Sequence, residues 1–176
     1  MPGIDESRVF IPLSIAVITV SDTRSLADDS SGQVLVDKLQ SAGHVLVERS
    51  ILRDDKEALS DALRMLIARS DVHVVLATGG TGVTGRDVTP EAFHAVYEKE
   101  IPGFGELFRM LSYQQIGTST IQSRATAGVA NGTYLFALPG STSACRDAWD
   151  WILASQLDSR YRPCNFAELF DRLKER

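Results

Sequence analysis

The chain has 176 residues, 44% hydrophobic and 23% charged, which is typical of one globular domain with a sizeable core. Its formal net charge of −5 argues against nucleic acid or an anionic membrane as the main partner, because both favour a basic surface. Most of its 18 basic residues are arginines, whose planar guanidinium suits phosphate and carboxylate. The composition therefore does not exclude small phosphate-bearing ligands.

The N-terminus and the cysteines predict a cytoplasmic protein. Residues 1–10 resemble a loose arm and lack the basic and apolar regions of a signal peptide. The longest strongly apolar run, residues 13–20, is too short to cross a bilayer. Cys145 and Cys164 show no zinc or redox spacing, so we expect two free thiols. We predict an N-terminal arm over 1–10 and a single domain over 11–176.

The first half of the chain predicts alternating strands and helices. Apolar, β-branched runs predict strands, an i, i+3, i+4 pattern predicts a helix, and Gly43 supplies an end for the helix before it. The predicted elements are a strand at 13–20, a helix at about 31–42, a strand at 44–51, a helix around 59–67 and a strand at 73–78.

A glycine-rich loop over residues 78–88 follows the third strand. The next helix is expected to begin with Thr89 as its N-cap and Pro90 in its first turn. Later elements are a helix marked by Phe104, Leu107, Phe108 and Leu111, an ambiguous segment at 120–130, a strand at 133–138, a helix from 143 to about 157 and a C-terminal helix around 166–173.

Strands that alternate with helices and read as continuous apolar runs predict a mostly parallel sheet covered on both faces. Ligands of such sheets bind in the loops at the carboxyl ends of the strands. The loops after Val20, Thr78 and Leu138 are therefore the candidate binding loops.

The glycine-rich loop is open to two interpretations. Adjacent glycine N–H groups can form an anion-binding nest, but a tight crossover turn would use the same residues. It matches neither G-x-x-x-x-G-K-[ST] nor G-x-G-x-x-G. Asp87 could hold Mg²⁺ beside a bound phosphate, or could only favour the start of the next helix.

Other polar groups on the same sheet edge also have structural alternatives. Ser141 could bind an anion or cap a helix, and Asp54 could hold a metal or cap the helix containing Leu59. Arg124 could be a surface residue or a phosphate clamp. The scattered His44, His73 and His94 and the lack of G-x-S-x-G argue against zinc catalysis and triad hydrolysis.

Taken together, the loop motifs resemble the molybdopterin-binding (molybdenum cofactor biosynthesis) family. The resemblance spans about residues 10–170 and depends on several separated stretches taken together. The glycine run alone would not be enough to identify the family. These stretches are Thr-Val-Ser-Asp-Thr at 19–23, Thr-Gly-Gly-Thr-Gly at 78–82, Arg-Asp-Val-Thr-Pro-Glu-Ala at 86–92, Pro-Gly-Phe-Gly-Glu at 102–106, Ser-Arg at 123–124 and Leu-Pro-Gly-Ser at 138–141.

The resemblance implies a three-layer α/β/α fold, assembly into homotrimers or into hexamers of two trimers, and binding of molybdopterin, a phosphorylated pterin dithiolene. It further implies that Mg-ATP adenylates the terminal phosphate of molybdopterin with release of pyrophosphate. A non-catalytic molybdopterin carrier is the alternative. Other molybdenum cofactor biosynthesis proteins are the implied partners, and either molybdenum or tungsten could be the metal inserted later.

The resemblance also assigns roles to individual residues. Asp87 would hold Mg²⁺ and Asp54 would be a second catalytic acid, although Arg-Asp-Asp at 53–55 departs from the family's usual Pro-Asp-Glu and leaves Asp55 as the alternative. The implied nucleotide and phosphate binders are Gly79, Gly80, Thr81, Gly82 and Arg86; the implied molybdopterin binders are Ser21, Ser123, Arg124, Pro139, Gly140 and Ser141.

Overall fold

A six-stranded sheet forms the middle layer of the computed structural model, which describes residues 1–175. Its strand order is β3-β2-β4-β7-β6-β5, and only β6 runs against its neighbours. A separate antiparallel pair joins β1 to β8. The strands are β1 (Gly3–Ile4), β2 (Ser14–Val20), β3 (Val45–Leu52), β4 (Val74–Thr78), β5 (Lys99–Glu100), β6 (Thr126–Ala130), β7 (Thr133–Leu138) and β8 (Tyr161–Arg162).

Helices cover both faces of this sheet, which confirms the three-layer α/β/α fold with a mostly parallel sheet. Side chains of α1, α4 and α5 pack on one face, and those of α2 and α3 pack on the other. The helices are α1 (Ser30–Ser41), α2 (Lys56–Ile67), α3 (Thr89–His94), α4 (Pro102–Ile116), α5 (Thr142–Ala148) and α6 (Ala154–Gln156); 3₁₀ turns span Gly117–Gln122 and Phe166–Arg172, and a π turn spans Trp149–Leu153.

The apolar run in β2 shows why the central strands could be predicted from the sequence. Ile15 and Val17 point into the core beneath α1, whereas Ala16 and Ile18 point into the core beneath α2. All four side chains are fully buried. A strand covered on both faces must be apolar at every position, so its sequence lacks the alternation of a half-exposed strand.

Three side chains cap helices at the carboxyl edge of the sheet. Asp29 accepts from the Gly32 N–H, Asp55 from the Ala58 N–H, and Ser141 from the Ala144 N–H. The expected cap at Thr89 is wrong: α3 begins at Thr89, and the Thr89 hydroxyl instead donates to the Gly79 carbonyl at 2.8 Å. This side chain therefore fastens the glycine-rich loop to α3.

Three predicted segments differ in detail. The ambiguous segment 120–130 contains the end of a 3₁₀ turn and the buried strand β6. The expected single helix over 143–157 starts at Thr142 and is interrupted by the π turn, and the C-terminal helix is 3₁₀. The hydrophobic pattern did not distinguish these helical forms, because each stretch is only one or two turns long.

The N-terminal arm is anchored rather than loose. Gly3 and Ile4 pair with β8, and Arg8 donates to the Ser159 carbonyl at 2.7 Å while it contacts Glu168. No helix within residues 1–175 combines the length and apolar character that a membrane span requires.

Candidate functional site

The carboxyl ends of four parallel strands meet at one edge of the sheet, and the candidate loops leave from there. β3 lies on one side of β2 and β4 on the other. The order in which successive strands are added to the sheet therefore reverses between β2 and β4. Ligands of open α/β sheets bind at such a switch point. The loops that begin at Ser21 and Gly79 therefore border the expected binding cleft.

Two consecutive left-handed residues shape the glycine-rich loop. Gly79 has φ +107° and Gly80 has φ +64°, values that favour glycine. The Gly79 N–H donates to the Leu138 carbonyl at 3.0 Å, and the Gly80 carbonyl accepts from the Thr89 N–H at 3.0 Å. The loop is thereby fixed to both β7 and α3.

The loop after β7 packs directly against the glycine-rich loop. A Cβ added at Gly140 would lie 3.2 Å from the Gly79 Cα, so the close approach leaves little room for a side chain. The Thr78 hydroxyl donates to the Pro139 carbonyl at 2.9 Å, which holds the two loops together. Pro139 and Gly140 thus form a wall of the cleft.

The cleft has two lobes that share Gly80, Asp87 and Gly140. The first, which we term the acidic lobe, has a volume of about 420 Å³; the second, the serine lobe, measures about 350 Å³. The acidic lobe is also lined by Val20, Ser21, Asp22, Thr23, Arg24, Asp54, Gly79 and Arg86, and the serine lobe by Thr81, Gly82, Gln122, Ser123 and Pro139. A ligand in one lobe could therefore meet a ligand in the other beside Asp87.

Asp87 is held ionised at this junction. Its Oδ2 accepts hydrogen bonds from the Thr84 N–H at 2.8 Å and the Thr84 hydroxyl at 2.6 Å. Partial burial acts to raise the pKa of Asp87, but these hydrogen bonds and the positive charge of Arg124 outweigh it, so the pKa is lowered. Its carboxylate is a fixed negative charge beside Gly82.

Asp54 shows the opposite shift. Burial raises the pKa of Asp54, and the negative charge of Asp87 raises it further. A Cβ added at Gly80 would lie 2.9 Å from Asp54 Oδ1, so the carboxylate lies against the loop backbone. Asp55 instead caps α2, with Oδ1 2.7 Å from the Ala58 nitrogen. Asp54, not Asp55, therefore lines the cleft.

This pair of carboxylates suits Mg²⁺ that also binds substrate phosphate. Magnesium sites in proteins commonly use one or two carboxylates and complete the octahedron with phosphate oxygens and water. The mutual repulsion that raises the pKa of Asp54 would be relieved by a cation between the two carboxylates. Within residues 1–175, no three His, Cys, Asp or Glu side chains come together in a way that could hold a metal ion.

Arg124 holds the glycine-rich loop in place through hydrogen bonds to the loop backbone. Its Nε donates to the Gly82 carbonyl at 2.6 Å and its Nη2 to the Asp87 carbonyl at 2.8 Å. Its Nη1 contacts the Glu91 carboxylate. Because each guanidinium nitrogen has a protein partner, this geometry favours a positioning role over the phosphate clamp implied by the sequence.

Arg86 is more available to a ligand. It contacts Asp22 across the mouth of the acidic lobe, and its side chain is 76% exposed. Exposed ion pairs contribute little to stability, so the guanidinium can exchange the Asp22 carboxylate for a phosphate at small cost.

The structure separates the three serines assigned to molybdopterin. Ser21 lines the acidic lobe and accepts from the Arg24 N–H at 3.2 Å, whereas Ser123 lines the serine lobe. Ser141 caps α5 and lines a smaller cavity beyond the serine lobe. Ser123 also lines that smaller cavity, so it adjoins Ser141, whereas Ser21 lines neither the serine lobe nor that cavity.

Comparison with known proteins places this cleft in a family. The family described as "Probable molybdopterin binding domain" matches residues 16–159. The chain belongs to the molybdopterin-binding family. It is 54% identical over 160 residues to molybdenum cofactor biosynthesis protein B of Escherichia coli strain K12, covering 91% of this chain and 94% of that protein.

Solved structures agree with the family assignment. A crystal structure of a molybdenum cofactor biosynthesis protein B matches with a TM-score of 0.86 and 38% identity, covering 96% of this chain and all of the other. The tungsten cofactor synthesizing protein MoaB from Pyrococcus furiosus matches with a TM-score of 0.73 and 37% identity, covering 82% of this chain and 92% of the other.

Several residues at the cleft of this molybdopterin-binding domain escaped the sequence interpretation. Thr84 is the partner of Asp87, and the spacing of three residues between a threonine and an aspartate was a usable turn signal. Gln122 lines the serine lobe and Arg24 lines the acidic lobe, where it lies near Asp22 of the predicted Thr-Val-Ser-Asp-Thr stretch. Gln122 is the last residue of a 3₁₀ turn and belongs to none of the motifs that pointed to the site.

Proposed function

We propose that this protein acts in molybdenum cofactor biosynthesis, where it binds molybdopterin and adenylates the terminal phosphate with Mg-ATP. The observation that supports this proposal best is the two-lobed cleft, whose lobes meet at Gly80, Asp87 and Gly140. A transfer between two anionic substrates needs two binding sites that share one charged junction.

The proposed reaction is an attack by a terminal phosphate oxygen of molybdopterin on the α-phosphorus of ATP. A new phosphorus–oxygen bond forms, the bond to the β-phosphate breaks, and pyrophosphate leaves with the electron pair. Asp54 and Asp87 would hold Mg²⁺, which supplies positive charge to phosphate oxygens when bound. The protein's task is to align the two phosphates and hold developing negative charge.

The contacts suggest how the two substrates divide the cleft. The acidic lobe would take the ATP phosphates, because it contains Gly79, Arg86 and Asp54. The serine lobe would take molybdopterin, because it adjoins the same carboxylate and has Ser123 and Pro139 on its wall. Thr81 and Gly82 would border the phosphate between them.

The deciding experiment mixes the purified protein with Mg-ATP and molybdopterin and identifies the product by mass. We expect adenylated molybdopterin and one pyrophosphate for each product formed. Omission of Mg²⁺ or of molybdopterin should abolish pyrophosphate release. Binding of both ligands without product would reject the adenylation and leave a molybdopterin carrier.

A pair of neighbouring substitutions separates the candidate second acids. Asp54→Asn should lower pyrophosphate release at least about tenfold, because the proposed magnesium site loses one of its two carboxylates. Asp55→Asn should keep activity, since this residue caps α2 outside the cleft and asparagine is also a good cap. Steady-state release at saturating ATP, with thermal unfolding as a fold control, measures both effects; equal activity of the two variants would contradict the assignment to Asp54.

Self-association into a homotrimer, or a hexamer of two trimers, is also part of the proposal. An exposed apolar surface runs along α4 and the following 3₁₀ turn, and a contiguous exposed apolar patch commonly marks an interaction site. Its members are Leu107, Met110, Tyr113, Ile116 and Ile121. A second copy of the chain is the proposed cover for this surface.

A charge on that surface should weaken the assembly. Met110→Glu is expected to shift the mass in solution toward the monomer at micromolar concentration, because burying an unpaired carboxylate is costly. The matched control is Met65→Glu, since Met65 is equally apolar and 73% exposed but lies on α2. Light scattering on both variants checks this, and an unchanged Met110→Glu assembly would exclude this surface.

A further inference from the structure

The acidic lobe has an arginine, Arg24, at the end that faces away from the serine lobe. Arg24 also lines a neighbouring cavity of about 410 Å³, which we term the outer cavity. The outer cavity shares Ser21 and Asp22 with the acidic lobe but shares no lining residue with the serine lobe. The serine lobe, the acidic lobe and the outer cavity therefore follow one another in that order, with Asp87 at the first junction and Arg24 at the second.

One nitrogen of the Arg24 guanidinium is anchored at the start of α1. Nη1 donates to the Ser31 hydroxyl at 2.6 Å and lies 3.8 Å from Oδ1 of Asp29, the residue that caps this helix. Nε and Nη2, which form one edge of the guanidinium plane, make no hydrogen bond within residues 1–175. Two parallel N–H donors on one edge match two oxygens of a phosphate.

The Asp29 carboxylate gives Arg24 a fixed negative partner. It is completely withdrawn from water and accepts from the Gly32 N–H at 2.9 Å and the Thr19 hydroxyl at 2.7 Å. Burial acts to raise the pKa of Asp29, but its hydrogen bonds and the positive charge of Arg49 outweigh it, so the pKa is lowered. Arg24 is thus held by a group that stays ionised, and a side chain held in advance loses less freedom when a ligand binds.

The other two arginines of the cleft are held differently. Arg124 has a protein partner at each guanidinium nitrogen. Arg86 is 76% exposed and contacts Asp22 at the mouth of the lobe. Arg24 is 35% exposed and combines an anchored nitrogen with a free edge. It is therefore the arginine of the cleft that is best arranged to hold an anion in one position.

We propose that Arg24 binds the pyrophosphate that leaves during adenylation, with Nε and Nη2 donating to its oxygens. The inference rests on the proposed function, in which a phosphate in the serine lobe attacks the α-phosphorus beside Asp87. The attacking and leaving oxygens of a phosphoryl transfer are roughly in line, so the leaving group points away from the serine lobe. Negative charge develops on that group as it takes the electron pair of the breaking bond, at the end of the lobe where Arg24 lies.

Two anions separate the two ends of the acidic lobe. Inorganic pyrophosphate represents the leaving group alone and AMP represents the α-phosphate end alone, and calorimetry in the presence of Mg²⁺ measures the affinity of the full-length protein for each. Arg24→Gln should weaken pyrophosphate binding at least about tenfold and keep AMP binding within about twofold of wild type, because it removes a charged pair of donors from one end only. Arg24→Lys should stay at least about threefold weaker than wild type for pyrophosphate, because an ammonium group lacks the planar pair of donors.

Two further variants assign the effect to the anchored guanidinium. Arg53→Gln removes the same charge directly after β3, from a residue that lines the outer cavity but not the acidic lobe, and should keep pyrophosphate affinity within about twofold of wild type. Ser31→Ala keeps the charge of Arg24 and removes its anchoring hydroxyl, so it should weaken pyrophosphate binding at least about threefold. Ser31→Ala also provides a second test if thermal unfolding shows that Arg24→Gln is unstable.

The results separate this inference from the proposed function. Wild-type pyrophosphate affinity in folded Arg24→Gln, an equal loss of pyrophosphate and AMP affinity, or undetectable pyrophosphate binding by wild type up to millimolar concentration would overturn the inference. Adenylated molybdopterin from a protein whose pyrophosphate binding does not depend on Arg24 would keep the proposed function and reject only the role of Arg24. Selective pyrophosphate binding through Arg24 without adenylated product would reject the proposed function and support Arg24 as the pyrophosphate-binding residue.

Discussion

Asp87→Asn is expected to lower pyrophosphate release from Mg-ATP and molybdopterin at least about 100-fold, because the junction of the two lobes loses its fixed negative charge. Asparagine keeps an oxygen that can accept from the Thr84 N–H and hydroxyl. The loop should therefore keep its shape, and the loss should come from the missing charge.

The control for this substitution is Asp37→Asn on α1, which removes one charge where Gln33 is the only hydrogen-bonding partner within residues 1–175. Its activity should stay within about twofold of wild type, since Asp37 lies outside both lobes. Circular dichroism and thermal unfolding of Asp87→Asn should match wild type. Normal turnover by a folded Asp87→Asn protein would remove Asp87 from the proposed magnesium site.

The sequence predicted the sheet well, because its central strands are buried on both faces. β2, β4 and β7 are continuous apolar runs, and their ends at Val20, Thr78 and Leu138 agree with the predicted strands. The carboxyl edge, where the candidate loops meet, followed from that pattern and from the parallel order of the strands.

The choice between Asp54 and Asp55 was beyond the sequence. Both residues follow β3 and both are acceptors, so composition cannot distinguish a helix cap from a cleft residue. The backbone decides: Asp55 is extended, with φ −130° and ψ 120°, and its carboxylate reaches the N–H three residues ahead. Asp54 is then left facing the loop at Gly80.

Long-range contacts explain the other differences between the sequence analysis and the structure. Arg124 reaches Gly82 and the Asp87 carbonyl, which are 42 and 37 residues away, so its bracing position has no local signal. Thr89 suited a cap by residue type, yet its hydroxyl makes the tertiary bond to Gly79.

Gly79→Ala is expected to destabilise the protein by about 3 kcal/mol or more, the largest stability effect that we predict. Gly79 has φ +107°, a conformation that strains any residue with a Cβ. A Cβ built at Gly79 would also overlap the Val20 carbonyl oxygen at the end of β2. The Val20 carbonyl belongs to the backbone and cannot rotate away from the added methyl group as a side chain could. Either β2 or the glycine-rich loop would therefore have to move.

Gly85→Ala provides the matched control within the same loop. A Cβ at Gly85 meets no atom within 4 Å, and its φ lies outside the left-handed region. We expect the free energy of unfolding to change by less than about 0.5 kcal/mol, or to rise slightly as the unfolded chain loses freedom. Urea unfolding of both variants measures the difference, and equal midpoints would contradict the strain at Gly79.

Gly79→Ala should also damage the cleft, because Gly79 connects three of its walls. Its N–H donates to the Leu138 carbonyl, its carbonyl accepts from the Thr89 hydroxyl, and its Cα lies against Gly140. If the loop moves to admit the methyl group, Mg-ATP affinity should fall even at temperatures where Gly79→Ala stays folded. Wild-type affinity in that folded variant would show that the loop backbone does not hold the phosphates, which would remove the glycine-rich loop from the proposed nucleotide site.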